Sequence, residues 1–136
     1  MSRAILQAMT HPPWLLAVLL IFAPPCGAGE PRAKLLLQNS PLAGFQYHAG
    51  RKLWPKLRTG DRLDLVREPD NPFDSNAVRI EWQGHQIGYL PRRENLAVAR
   101  RLDRGETVEA RISRLAKSRN PWKRIQIDVL LPVAPE

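Results

Sequence analysis

The sequence predicts a mostly-β domain, a small barrel of five to six strands with one or two accessory helices. Three observations support this prediction. Short segments in which apolar and polar residues alternate, as in half-buried strands, recur along the chain. Clusters of turn residues separate these segments. A single amphipathic helical pattern follows the fourth segment, and the commonest architecture with this plan is the OB-fold.

The first 28 residues have the composition of a secretory signal peptide. Arg3 supplies a positive start, an apolar run of ten residues occupies 14–23, and small residues lead to Ala28. A run of ten apolar residues is too short for a membrane span, which needs about 20. We therefore expect cleavage after Ala28, export to the periplasm or the cell exterior, and no stable membrane span.

Three alternatives to this leader stay open. In the first, the N-terminal segment is an uncleaved tail. In the second, translation starts at Met9, and in the third, Cys26 carries a lipid. Lipid attachment fits poorly, because Ala23 and Pro25 stand where a lipobox has a large aliphatic residue and a small one. With cleavage after Ala28 the remaining chain contains no cysteine, which excludes disulfides and thiolate chemistry.

The first predicted strand begins at 35–37 and continues through 41–47, with a break at Pro41. Five further strands are predicted from alternating residues between turns, at 62–67, 77–82, 85–90, 107–113 and 124–130. The whole chain then divides into a leader, a linker, a domain and a tail, at 1–28, 29–34, 35–132 and 133–136.

The helix is predicted at 93–104, after Pro91. Leu96, Ala99 and Leu102 are spaced three apart and fall on one face. Gly105 is a suitable residue just past the helix end. The pattern therefore places one helix after the fourth strand.

Catalytic sequence patterns are nearly absent. The chain has no phosphate-binding loop, no nucleophile elbow and no zinc-protease helix motif. His48 and His85 are each isolated from other metal-ligating residues in sequence. Asp70 and Asp74 would suit an acid–base pair, but Asp, Asn and Pro are also typical turn residues. We therefore expect a protein that is not an enzyme and that has no cofactor and no metal.

The charge of the chain favours an anionic partner. The formal net charge is +8, and the residues after Ala28 carry 20 basic and 13 acidic side chains, so the domain itself is basic. Basic and aromatic residues are mixed at 51–58, with Trp54, and at 117–124, with Trp122. Such segments bind unpaired bases by stacking and phosphates by charge. Alternatively, the tryptophans close the core, and the charges only solvate loops of an ordinary basic secreted domain.

Three segments, in this order, resemble the HIRAN domain family. They are AGFQYHAG at 43–50, LVREPDNPFDSNAV at 65–78, preceded by a glycine and an aspartate at 60–61, and IGYLPR at 87–92. The family's diagnostic core is an EPDNPYDxNA-type segment followed by a G-Y/H-L/V-P signature. The resemblance extends from Leu36 to Leu131. It implies an OB-like barrel with accessory helices, found in Swi/Snf-type translocases of DNA repair and in stand-alone bacterial proteins. In the eukaryotic fork-remodelling member of the family, the domain captures the 3′ end of single-stranded DNA.

The resemblance also implies roles for particular residues of the long segment. Asp74 matches an aspartate that accepts a hydrogen bond from the terminal 3′-hydroxyl. Phe73 matches a tyrosine that holds the terminal nucleotide, although it lacks the hydroxyl. Asp70 and Asn71 match residues that line the pocket.

The other two segments supply the remaining implied contacts. Tyr47 matches an aromatic residue that stacks on a base, whereas Gln46 stands where the DNA-end binder has an arginine. Tyr89 and Arg92 match a polar and a basic residue on the far side of the pocket. The implied partner is therefore a single-stranded DNA 3′ end or another anionic polymer.

The chemistry of a carboxylate agrees with end recognition. A carboxylate repels a phosphodiester but accepts a hydrogen bond from a free hydroxyl. Candidate phosphate ligands around it are four arginines: Arg67, Arg79, Arg92 and Arg93. Two alternatives stay open: the segment is retained only as a rigid turn, or the chain is an exported interaction domain for a protein partner or an envelope polyanion.

Overall fold

A computed structural model describes residues 32–134, and the predicted signal peptide lies outside them. The predicted mostly-β architecture is confirmed: six strands form one antiparallel sheet, accompanied by two short helices. The strands are β1 Lys34–Pro41, β2 Arg62–Glu68, β3 Ala77–Trp82, β4 His85–Tyr89, β5 Glu109–Leu115 and β6 Ile125–Pro132. The helices are α1 Gly50–Leu53 and α2 Leu96–Asp103, with 3-10 turns at Phe45–Tyr47, Trp54–Lys56 and Pro121–Lys123.

The sheet curls without closing into a complete barrel. The strand order is β1-β6-β5-β2-β3-β4, so β1 and β4 are the two edges. Just after β1, Ala43 forms an isolated bridge with Tyr89 of β4 through two backbone hydrogen bonds of 2.9 Å. This bridge brings the chain leaving one edge strand against the other edge strand.

Gly88 permits that bridge. A Cβ at this position would collide with the carbonyl oxygen of Ala43 and would lie 2.9 Å from the Leu42 side chain. Only a residue without a side chain lets the two backbones approach so closely. The glycine of the G-Y-L-P signature therefore has a packing role in this chain.

The core lies inside the curled sheet and takes fully buried apolar side chains from β2 to β6, with Leu37 of β1 partly buried against them. The predicted inward face of β3 is confirmed, because Val78, Ile80 and Trp82 are all buried. Further buried apolar side chains come from β2, β4, β5, β6, α2 and the connections after β1 and β4: Leu42, Phe45, Leu57, Leu63, Ile87, Leu90, Val98, Ala99, Ala110, Ile112, Ile125, Ile127 and Val129.

The last two strands, β5 and β6, each end two residues later than predicted, and two predicted elements differ further from the structure. The first strand does not continue to residue 47, because Gly44 adopts a left-handed φ of 74° that turns the chain into a 3-10 turn. The helix begins at Leu96 rather than at residue 93, since a turn with a hydrogen bond from the Glu94 amide to the Pro91 carbonyl precedes it. Its buried residues are Val98 and Ala99, whereas Leu96 is exposed.

No helix within residues 32–134 is long and apolar enough to cross a membrane.

Candidate nucleic-acid interface

The connection between β2 and β3, residues 69–76, is a rigid double turn. Asn71 Oδ1 accepts hydrogen bonds from the backbone amides of Phe73 and Asp74, at 2.9 and 3.2 Å. Asp74 Oδ1 accepts one from the amide of Asn76, at 2.9 Å. Side chains that bond their own backbone in this way are the reason that Asn and Asp favour turns. The turn interpretation of this segment is therefore correct, and it fixes where Phe73 and Asp74 lie.

A buried asparagine positions the Asp74 carboxylate. Asn95 is 2% exposed, and its Nδ2 donates a 2.7 Å hydrogen bond to Asp74 Oδ2. Asn95 lies at the N-cap of α2, where a side chain ordinarily accepts from the helix, but here it makes no capping bond. Each Asp74 oxygen thus accepts one bond within the protein. A carboxylate oxygen has two lone-pair directions, so each oxygen retains capacity for a second donor.

Glu68, the last residue of β2, braces the base of the connection. Its carboxylate accepts from Asn71 Nδ2 at 3.0 Å, from the Tyr89 hydroxyl at 2.9 Å and from Arg79 Nη1 at 2.7 Å. Burial acts to raise the pKa of Glu68, but these three hydrogen bonds outweigh burial and hold the pKa below its ordinary value. Burial, and then the bond to Glu68, raise the pKa of the Tyr89 phenol. Three of the four lone-pair directions of the Glu68 carboxylate are therefore used by donors of the protein itself.

A cavity of about 540 Å³, called here the groove, lies beside the connection between β2 and β3. Predicted site residues that line it are Asn71, Phe73, Asp74, Tyr89 and Arg92. Its other lining residues, which include one further aromatic side chain, are Ala43, Pro72, Ala77, Leu90 and Trp122. One carboxylate, one arginine and three aromatic rings therefore face a single mostly apolar space.

Two of the aromatic residues of the groove are unusually exposed. Phe73 is 83% exposed and Trp122 is 51% exposed. Trp122 lies in the 3-10 turn between β5 and β6, where its amide donates to Asn120 Oδ1 at 3.1 Å. Large exposed apolar side chains around a cavity mark a binding surface more often than a packing defect. The alternative in which Trp122 closes the core is wrong.

The two remaining predicted residues lie outside the lining of the groove. Tyr47 is 80% exposed and belongs to the 3-10 turn that follows Ala43. Asp70 is exposed and borders a separate shallow depression, together with Glu68 and Pro69. The structure thus brings five of the seven predicted residues to one groove and leaves two apart from it.

Two of the four predicted phosphate ligands are already paired with carboxylates. Arg67 makes a bidentate contact with Asp103, at 2.9 and 3.1 Å, and donates to the Ala77 carbonyl. Arg79 contacts Glu68 and Glu81, at 2.7 and 2.9 Å. Phosphate contacts by these two arginines stay a prediction, and such contacts would compete with the ion pairs that both already make.

Of the other two predicted phosphate ligands, Arg92 lines the groove, Arg93 follows it in the chain, and both are exposed. Neither of them has a carboxylate partner among residues 32–134. A positive charge therefore lies at the groove margin, where an anionic ligand would approach.

Sequence reasoning did not assign three residues of this site. Glu68 stands inside the diagnostic segment, and its three hydrogen-bond donors come from two strands and a turn. Asn95 carries the ordinary signal of a helix cap. Trp122 belongs to a basic-aromatic segment, which indicated stacking but not the groove. A pattern along the chain does not reveal which distant residue each of them contacts.

Among residues 32–134, no group of three or more His, Cys, Asp or Glu side chains is placed to hold a metal ion. His48 instead packs its ring against Tyr89, with centroids 5.7 Å apart.

Comparison with known proteins identifies relatives of this fold. A family model described as the HIRAN domain matches residues 35–134. Helicase-like transcription factor from rabbit (Oryctolagus cuniculus) and mouse (Mus musculus) is 32% identical over 63 residues, which is 46% of this chain. The match spans only 6% of the length of those two proteins.

Two solved structures share the architecture. A crystal structure of a protein from Lactobacillus plantarum superposes with a TM-score of 0.62 and 24% identity, covering 72% of this chain and 94% of that one. The HIRAN domain of human HLTF superposes with a TM-score of 0.53 and 20% identity, covering 71% and 75%. At these identities the likeness concerns the fold alone.

Proposed function

This chain belongs to the HIRAN domain family, and its membership supports the interpretation that the domain binds nucleic acid. From that premise we propose that it binds single-stranded DNA at a free 3′ end. In this proposal the groove holds the terminal nucleotide, and the Asp74 carboxylate accepts a hydrogen bond from its 3′-hydroxyl. The module is non-catalytic: it positions a strand end and changes no covalent bond.

The placement of Asp74 is the observation that carries the proposal. The carboxylate is held from two sides, by Asn95 Nδ2 and by the amide of Asn76, and it faces the groove with acceptor capacity left. A fixed negative charge in a groove disfavours a phosphodiester by repulsion and favours a neutral hydroxyl donor. A strand end that carries a free hydroxyl satisfies this condition, whereas the middle of a strand does not.

The walls of the groove suit a nucleotide base. Phe73 and Trp122 present exposed rings, and stacking of a base on an aromatic side chain contributes about 1–3 kcal/mol with little base preference. Arg92, at the margin, has no carboxylate partner among residues 32–134 and can pair with the phosphate on the 5′ side of the terminal sugar. The expected binding is therefore tolerant of sequence and dependent on salt.

We also propose that the chain is exported after removal of its leader. The support is the order of Arg3, the apolar run at 14–23 and the small residues before Ala28. Cell fractionation with N-terminal sequencing of the purified protein tests this, because cleavage at the expected site yields a chain that begins at Gly29. Retention in the cytoplasm with an intact N-terminus would exclude export.

Fluorescence anisotropy tests the end preference directly. The labelled ligands are a short single strand with a 3′-hydroxyl, the same strand with a 3′-phosphate, and the matching blunt duplex, each at two salt concentrations. We expect the 3′-hydroxyl strand to bind most tightly and its affinity to fall with salt. Equal affinity for the two single strands would exclude end recognition. If none of the three ligands binds at low salt, DNA binding is excluded, and the alternative of an interaction domain for a protein or an envelope polyanion is favoured.

A further inference from the structure

A second pocket, called here the basic pocket, lies beside the same two connections that contribute to the groove. It has a volume of about 280 Å³, and its lining residues come in equal numbers from the β1–β2 and β5–β6 connections: Phe45, Arg51, Trp54, Lys117, Ser118 and Arg124. The same connections supply Ala43 and Trp122 to the groove. The two basic-aromatic segments of the sequence therefore meet in one place.

The β1–β2 side of the basic pocket is built on a fixed aromatic pair. Phe45 is 2% exposed and meets Trp54 edge to face, with ring centroids 5.8 Å apart. Gly50 packs directly on the Phe45 ring, because a Cβ at that position would collide with it. Arg51 follows Gly50 in α1, so the backbone that carries the Arg51 side chain is held against the core.

The β5–β6 side is held by hydrogen bonds within its own connection. Arg124 Nε donates to the Ser118 carbonyl at 2.7 Å, and its guanidinium carbon lies 6.0 Å from the centroid of the Phe45 ring. The Arg124 carbonyl accepts from the amide of Ala116 at 2.9 Å. The guanidinium is thereby oriented, and its two Nη atoms donate to no residue in the described part of the chain.

The charges of the basic pocket are uncompensated within the described chain. Arg51, Lys117 and Arg124 form no ion pair with any carboxylate of residues 32–134, and the pocket lining contains no acidic residue. Elsewhere seven basic residues do have such partners: Lys34, Arg62, Arg67, Arg79, Arg101, Arg104 and Arg111. Three like charges around one pocket repel each other, and a bound anion relieves that repulsion.

We propose that the basic pocket binds a phosphate group through Arg51, Lys117 and Arg124. Guanidinium groups match the oxygen geometry of phosphate, and a lysine adds a compact charge. Resting on the proposed function, the group is a backbone phosphate of the strand whose end occupies the groove. Arg124 and Trp122 are two residues apart, so their Cα atoms are separated by about 7 Å at most. A free phosphate ion has the same chemistry and is the other source.

Paired variants with equal charge change test this proposal. Arg51→Gln with Lys117→Gln removes two cations of the pocket and leaves its aromatic floor intact. Lys52→Gln with Arg119→Gln removes two exposed neighbours outside the pocket lining. We expect the first pair to weaken binding of a 3′-hydroxyl strand about tenfold and to lower its salt slope by about 0.7. The control pair should change affinity less than threefold, roughly as a distant screened charge does.

The outcomes separate this proposal from the proposed function. Equal losses for both pairs would overturn it, because general charge rather than the pocket would then govern binding. If no oligonucleotide binds the unmodified protein, the proposed function fails, and titration with inorganic phosphate still tests the pocket by calorimetry. Phosphate binding that the first pair abolishes and the control pair retains supports the free-ion source. Absence of both oligonucleotide and phosphate binding overturns the pocket proposal.

Discussion

Replacing Asp74 by alanine is the sharpest test of end recognition in this groove. The substitution removes the carboxylate and leaves the exposed Phe73 ring in place. A hydrogen bond from a hydroxyl to a charged acceptor contributes about 1.5–3 kcal/mol. At about 1.4 kcal/mol for each tenfold change, the affinity for a 3′-hydroxyl strand should fall about 10- to 150-fold. The affinity for a 3′-phosphate strand should stay unchanged or rise, because a like charge has been removed.

The same substitution should also destabilise the folded state. Asn95 is buried and would lose the acceptor of its 2.7 Å bond. An unsatisfied buried amide costs about 1–3 kcal/mol, which lowers the melting temperature of a domain of this size by about 5–20 °C. Thermal unfolding therefore identifies a temperature at which Asp74→Ala is still folded, and anisotropy is measured there.

Asp70→Ala is the matched control for Asp74→Ala. It removes an exposed carboxylate from the same connection, outside the groove lining, so the change in net charge is identical. We expect it to leave the preference for the 3′-hydroxyl strand intact. Two results would refute the reasoning: equal losses of Asp74→Ala on both strands, or a loss for Asp70→Ala as large as that for Asp74→Ala.

Three further predictions concern the aromatic walls, the close backbone contact and the buried carboxylate. Phe73→Ala and Trp122→Ala should each weaken binding of a single strand by about 1–3 kcal/mol with little change in urea unfolding, since both rings are exposed; unchanged affinity in both variants would exclude stacking. Gly88→Ala should destabilise the fold by about 1–3 kcal/mol, because the new Cβ overpacks against Leu42 and the backbone beside it; a melting temperature equal to that of the unmodified protein would contradict this packing role. The lowered pKa of Glu68 stabilises the fold fully above the ordinary glutamate pKa of 4.5, and this stabilisation is lost as the pH falls through the lower folded-state pKa. Urea unfolding between pH 7 and pH 3 should therefore show a steeper acid loss for the unmodified protein than for Glu68→Gln, and parallel curves would contradict the assignment.

Local sequence patterns predicted several strands closely. The alternation of Val78, Ile80 and Trp82 predicted β3 with its observed bounds and its buried face. The first strand was predicted too long, because Gly44 adopts a left-handed φ that ends the extended chain, and Phe45, which follows it, is buried in the core. The alternation of apolar and polar residues reports only on neighbours along the chain. It does not predict where a contact between distant residues ends a strand.

The groove was predicted in part, for a similar reason. Phe73 and Asp74 lie in one turn, whose conformation follows from the side chain of Asn71, so the sequence of this turn was enough to single them out. The sequence indicated Arg67 as a candidate phosphate ligand, yet in the fold its guanidinium group contacts Asp103 of α2. Whether a charge is available to a ligand depends on its spatial neighbours.

The amino-acid sequence alone determined the family, the mostly-β architecture and the double turn that presents Asp74, because local turn chemistry and short-range periodicity encode them. Only the tertiary structure decided that Asn95 holds the Asp74 carboxylate and that Trp122 faces the same groove as Phe73. It alone decided as well that Arg51 and Lys117 share one pocket. These contacts join residues far apart in the chain, and the order of strands in the curled sheet, set by burial of the common core, brings them together.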